Sequence, residues 1–148
     1  MRIYLASRYS RIDEMNKHAT ELRSIGYTVD ARWLNGNHQL HEGAEEVENN
    51  PGSITQKAML FAQDDLDDLI ASNMVICFTE ISYSQDSVSR GGRHVELGLA
   101  LMWNYKSILS LQKQILLVGP RENVFYCLPN IKQFTTWEDC IKHLIHKI

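Results

Sequence analysis

The chain has 148 residues, 44% hydrophobic and 22% charged, with a formal net charge of −3. This is the composition of a globular protein long enough to bury a core, and residues 1–148 are read as one domain. The mild acidity gives no electrostatic case for binding a nucleic-acid polymer or a membrane surface, and the longest apolar runs, such as Met74–Phe78, are far too short to span a bilayer.

Ile3-Tyr4-Leu5-Ala6 reads as a short buried strand running into the polar turn Ser7-Arg8-Tyr9-Ser10. Ser10 and Asp13 have capping-box spacing ahead of a helix whose apolar face is Ile12, Met15, Ala19, Leu22 and Ile25, and which stops at Gly26. Tyr27–Trp33 is β-rich and predicts a second strand. Residues 35–52 are polar and turn-rich and predict a long loop or lid. Ser53 to Ser72 predicts a helix opened by Ser53 and Gln56, and Met74–Thr79 a strand buried on both faces. A polar loop, Glu80 to Arg90, leads into a helix from the glycine pair Gly91-Gly92 through about Trp103. Ile115–Val118 predicts a further strand, Val124–Leu128 a short helix, and Trp137–Lys147 a closing helix with Thr136 and Asp139 at its start. Strands alternating with helices predict an α/β, Rossmann- or flavodoxin-like domain with a mainly parallel five-stranded sheet and helices on both faces. In such sheets ligands bind beyond the carboxyl ends of the strands.

The segment Arg90-Gly91-Gly92-Arg93-His94-Val95-Glu96 lies at one of those ends. Paired glycines let backbone approach a ligand closely, and a helix start favours an ionised carboxylate, so Glu96 is expected to stand as an anion suited to nucleophilic attack. The bland alternative is a turn followed by a solvated glutamate. Asp64-Asp65-Leu66-Asp67-Asp68 lies late in the third helical segment, where Leu60, Phe61, Leu66, Leu69 and Ile70 mark the buried side. Most of its aspartates are expected to face water, with Asp65 placed at the rim of the sheet. A second carboxylate converging on one cleft is a common acid/base or nucleophile/acid arrangement. Tyr4, if buried, needs a partner for its hydroxyl, and a carboxylate at a neighbouring strand end would serve. Arg8, Arg11, Arg90, Arg93 and Arg121 lie in or beside the ligand loops and suit a phosphate. His38, His41 and Glu42 fit no metal motif, and His94 reads as a helix-surface residue. Three cysteines with no CxxC spacing fit reduced thiols in the cytoplasm.

Together these segments resemble the nucleoside 2-deoxyribosyltransferase family and the related 2′-deoxynucleoside 5′-monophosphate N-glycosidases. Ile3–Ser7 resembles the family's opening strand, Asp64–Ile70 with Asn73–Ile76 the segment of its active-site aspartate, Gly92–Ala100 that of its nucleophile, and Glu122-Asn123-Val124 the piece a neighbouring subunit lends to the sugar's 5′ end. The resemblance implies Glu96 as nucleophile, Asp65 as the acid or base acting on the nucleobase, and Tyr4 as the group orienting Glu96. It implies substrate contacts from Ser7, Arg8, Ser89, Arg90, Gly91, Gly92 and Asn123, a nucleoside or nucleotide substrate, no metal or organic cofactor, and a homodimer or larger oligomer with a shared active site. The family's acidic residue before the nucleophile is replaced here by Ser87, Ser89 and Arg90, with Asp86 further back, which suits a 5′-phosphate. Asn123 favours the transferase pattern, so transfer to a base and transfer to water both stand. A non-catalytic nucleotide-binding module on the same sheet is the rival class.

Overall fold

In the computed structural model, which describes residues 1–36, 56–80 and 91–147, the apolar runs become one parallel sheet. The strands are β1 (Arg2–Ala6), β2 (Thr28–Val29), β3 (Met74–Phe78), β4 (Gln114–Val118) and β5 (Ile131–Phe134), in the spatial order β2-β1-β3-β4-β5. Every neighbouring pair is parallel, with Tyr4 beside Val75 and Val75 beside Ile115. The chain moves one way from β1 to β2 and the other way from β3 onward. β1 and β3 therefore flank the point where strand order reverses, the place where open α/β sheets keep their ligands. The α/β, parallel five-stranded expectation holds.

Among the described residues four helices cover the sheet: α1 (Ile12–Ser24), α2 (Gln56–Ala71), α3 (Gly92–Lys106) and α4 (Trp137–Ile145). Side chains alternate along a strand, so Tyr4 and Val75 share one face while Phe78, three residues on, points to the other. Phe78 meets α1 and α4 through His18, whose ring stacks 4.2 Å from Trp137. Tyr4 points towards α3. All five residues of β3 are buried, as a strand covered on both faces requires.

Helix ends follow local chemistry, with one correction. Gly26, at φ 94°, ends α1 as expected, with Gly26 N–H donating to Arg23 O and Tyr27 N–H to Leu22 O in a Schellman arrangement. Thr136 caps α4 by accepting from Asp139 N–H at 3.2 Å. Ser10 does not cap α1. A 3₁₀ turn, Tyr9–Arg11, precedes the helix, and the cap residue Arg11 makes no side-chain cap bond.

The expected strand Tyr27–Trp33 shrinks to two residues. Arg32–Asn35 instead forms a 3₁₀ turn, because Asp68 of α2 accepts from both the backbone N–H and Nε of Arg32, and the Trp33 indole N–H donates to Leu5 O at the end of β1. These specific bonds outweigh the β propensity of the segment. Val124–Cys127 is a 3₁₀ turn, as the short-helix reading implied, and β5 takes up residues to which no strand had been assigned. On α2 only Leu69 is fully buried, while Leu60 and Ile70, expected inside, are exposed. Ser53, His38, His41, Glu42 and most of the 35–52 loop lie outside the described residues. No helix among the described residues is long and apolar enough to cross a membrane.

Candidate active site

Tyr4, in the middle of β1, is 1% exposed, and its hydroxyl donates to Glu96 Oε1 at 2.7 Å. Glu96 lies one turn inside α3, whose N-cap Gly91 adopts φ 74° and makes no side-chain cap. The left-handed turn at Gly91 aims the helix start at the carboxyl ends of β1 and β3, and a residue with a Cβ would be strained there. The second carboxylate oxygen, Glu96 Oε2, is buried with no hydrogen-bond partner among the described residues. Burying a charge without a partner is costly, so this oxygen marks where a reacting group would sit.

The charge state of Glu96 differs from the sequence expectation. Burial pushes its carboxyl up to about 8, against the Tyr4 hydrogen bond; the nearby Asp65 raises it further and Arg93 pulls it down. A helix start stabilises an anion by up to about 2 kcal/mol, whereas full burial shifts a carboxyl by as much as 3–5 pH units, so desolvation wins. Glu96 is therefore mostly protonated at neutral pH. Tyr4 is held well above its ordinary value by burial, then by the charges of Glu96 and Asp65. Asp65 acts on both residues, and so belongs to the same cluster on α2.

The other aspartates of α2 do not form a free solvated face. Asp64 and Asp68 bind the Arg32 guanidinium, and Asp67 lies 3.8 Å from it. Of the four, Asp65 is the one whose charge acts on Glu96.

The arginines are also committed. Arg93, expected as a possible phosphate binder, is buried at 4% exposure, and its Nη2 donates to Glu122 Oε1 and Oε2 at 2.9 and 2.8 Å. Glu122 also accepts the Glu80 N–H at 2.8 Å. Arg8 pairs with Glu80 at 2.8 Å, Arg11 with Glu14 at 2.7 Å, and Arg121 with Gln133 and the Tyr126 carbonyl. His94 is partly exposed on the helix, as expected; its Nδ1 lies 3.0 Å from the Tyr126 hydroxyl, and partial burial lowers its pKa. Ser7 Oγ, beside Arg8, is buried without a hydrogen-bond partner among the described residues. Asn123 follows β4 and accepts from Phe125 N–H at 3.0 Å, with Val124 and Phe125 exposed next to it. Ser87, Ser89, Arg90 and Asp86 lie outside the described residues.

The sequence reading missed Arg32 and the role of Glu122. A cation in the first turn of a helix opposes the helix dipole. That anomaly at Arg93 was the available signal for a buried counter-ion. Among the described residues no group of three His, Cys, Asp or Glu side chains is placed to hold a metal ion.

No protein-family model matches the chain, and no curated protein matches it in sequence. Solved structures do. The 2-deoxyribosyltransferase of the psychrotolerant bacterium Bacillus psychrosaccharolyticus superposes with a TM-score of 0.58 over 95% of this chain and 90% of its own, at 18% identity. The chain has that enzyme's fold. A CMP N-glycosidase from Clostridium botulinum shares it too, with a TM-score of 0.55 over 100% of both chains at 16% identity. Both superpositions cover 90% or more of each chain, so the likeness is one of the whole fold.

Proposed function

We propose that this chain is a member of the nucleoside 2-deoxyribosyltransferase family. In this reading it cleaves the N-glycosidic bond of 2′-deoxyribonucleosides or their 5′-monophosphates and passes the deoxyribosyl group to another base. The observation that carries the reading is the part-buried Tyr4–Glu96 hydrogen bond near Asp65, with Glu96 Oε2 buried and without a hydrogen-bond partner among the described residues. Glu96 attacks the anomeric carbon as its bond to the base breaks, and a glycosyl-enzyme ester forms. The ionised fraction of Glu96, its proton released to solvent beforehand, is the form that attacks, and its negative charge stabilises the positive charge that develops on the sugar in the transition state. Asp65 gives a proton to the departing base and takes one from the incoming base. Tyr4 holds the carboxylate in line.

A second reading, transfer to water from a 5′-monophosphate, is favoured by Ser7 Oγ, a buried hydroxyl with no partner next to Arg8. Gly91, Gly92, Ser89, Arg90 and Asn123 complete the sugar and 5′ contacts in either case. Free-base release from deoxynucleosides and from their monophosphates, each with and without an acceptor base, separates the readings. Release from neither substrate refutes both and leaves a non-catalytic binding module.

A second copy of the chain would complete the site. Val95, Leu99 and Met102 recur at helical spacing on the outer face of α3, and all are exposed together with Val124 and Phe125 beside Asn123. Covering this face with its symmetry mate brings Asn123 of one copy towards the sugar of the other. Light scattering of the purified protein should give a dimer or a multiple of it; a monomer at micromolar concentration refutes the shared site.

A further inference from the structure

Arg93 is misplaced by simple electrostatics. It lies in the first turn of α3, where the free N–H groups already carry partial positive charge, yet its side chain is buried. Glu122 meets it with both oxygens, at 2.8–3.2 Å, and is itself fixed by the Glu80 N–H. Buried ion pairs contribute little net stability compared with apolar contacts of the same volume. Fixing the end of a helix does not require one.

What the pair supplies is a charge at a set position. Arg93 and Glu96 are three residues apart and so are neighbours on one face of α3. The groups acting on Glu96 or acted on by it are Tyr4 from β1, Asp65 from α2, Cys77 from β3, Tyr126 from the 3₁₀ turn after β4, and Arg93 from its own helix. Among the described residues Arg93 is the one cation of that set.

We propose that Arg93, locked in place by Glu122, is a positioning residue for Glu96: it holds the fixed positive charge against which the Glu96 carboxylate forms, and Glu122 sets how much of that charge Glu96 experiences. The assignment of a catalytic purpose rests on Glu96 being the reacting carboxylate. The coupling itself does not depend on substrate or turnover.

The test is a carboxyl ¹³C NMR titration of the full chain, with the Glu96 signal identified by its loss in Glu96→Gln. Neutralising the counter-ion in Glu122→Gln should move the Glu96 midpoint down by about half a pH unit or more. The double variant Arg93→Met/Glu122→Gln removes the pair as a neutral unit, leaves no stranded carboxylate, and should move the midpoint up by about as much. It also carries the test if the single variant does not fold. Arg93→Lys keeps the charge and should stay near the wild-type midpoint. The pH profile of base release should move with the NMR midpoint while KM changes by less than about threefold. An unmoved Glu96 midpoint in the folded variants overturns the proposal. Midpoints that move while no form of the protein releases base uphold the coupling and refute the enzymatic reading instead.

Discussion

Tyr4 and Glu96, 92 positions apart in sequence, share a 2.7 Å hydrogen bond between β1 and α3, one turn inside that helix. The bond crosses from β1 to the helix after β3, and so spans the point where strand order reverses. It forms because alternation along β1 turns Tyr4 away from α1, while Gly91 brings α3 in over the strand ends.

Replacing Tyr4 by Phe keeps the buried ring and removes the donor. A hydrogen bond to a charged group is worth about 1.5–3 kcal/mol, so Tyr4→Phe should lower kcat/KM for base release about 10- to 100-fold at neutral pH. Circular dichroism should be unchanged. Wild-type kcat/KM in the folded variant contradicts an orienting role for the hydroxyl.

The raised Glu96 carboxyl fixes a pH dependence. Activity that needs the ionised form should climb as pH rises through about 8 in kcat/KM, the free-enzyme constant. Stability runs the other way. The folded state holds this proton more tightly than the unfolded chain, so its contribution is complete below the ordinary glutamate range and is lost as pH rises through about 8. Glu96→Gln should therefore raise Tm, by more at pH 8.5 than at pH 5; an equal change at both values contradicts the shift.

Asp68 and Asp67 make a contrasting pair. Asp68 accepts the Arg32 backbone N–H at 2.7 Å and Nε at 3.0 Å, and thereby holds the turn under Trp33; Asp67 is exposed, 3.8 Å from the guanidinium. Asp68→Ala should lower Tm by about 3–8 °C and Asp67→Ala by about 1 °C or less in thermal melts. Equal losses refute the assignment.

Gly119, at φ 114°, passes so close to Thr79 that a Cβ would overlap the threonine carbonyl oxygen and hydroxyl. It turns the chain from β4 towards Glu122. Gly119→Ala should cost about 2–4 kcal/mol in denaturant unfolding, through both the backbone angle and the overlap. A loss below about 0.5 kcal/mol shows that the β3 and β4 loops separate freely.

The fold was legible where one signal dominated. Met74–Phe78 has nothing polar to place, Gly26 offers the left-handed residue a helix end needs, and Thr136 with Asp139 reads as a cap. Motif order singles out Tyr4, Asp65 and Glu96, and the structure brings Tyr4 onto Glu96 with the Asp65 charge near both. Arg32–Asn35 was not, because the bonds that bend it come from Asp68 and Leu5, far away in sequence. The same holds for the Arg93–Glu122 pair, 29 residues apart, and for the Glu96 charge state, which depends on burial that no local pattern encodes.

The central claim is that a sugar becomes bonded to Glu96. Incubating the full chain with a 2′-deoxynucleoside in the absence of acceptor base, quenching in acid and mapping the peptides by mass spectrometry measures this directly. The account predicts one deoxyribosyl adduct, on Glu96, and none in Glu96→Ala. An adduct on another residue, or base release that persists in Glu96→Ala, would contradict it.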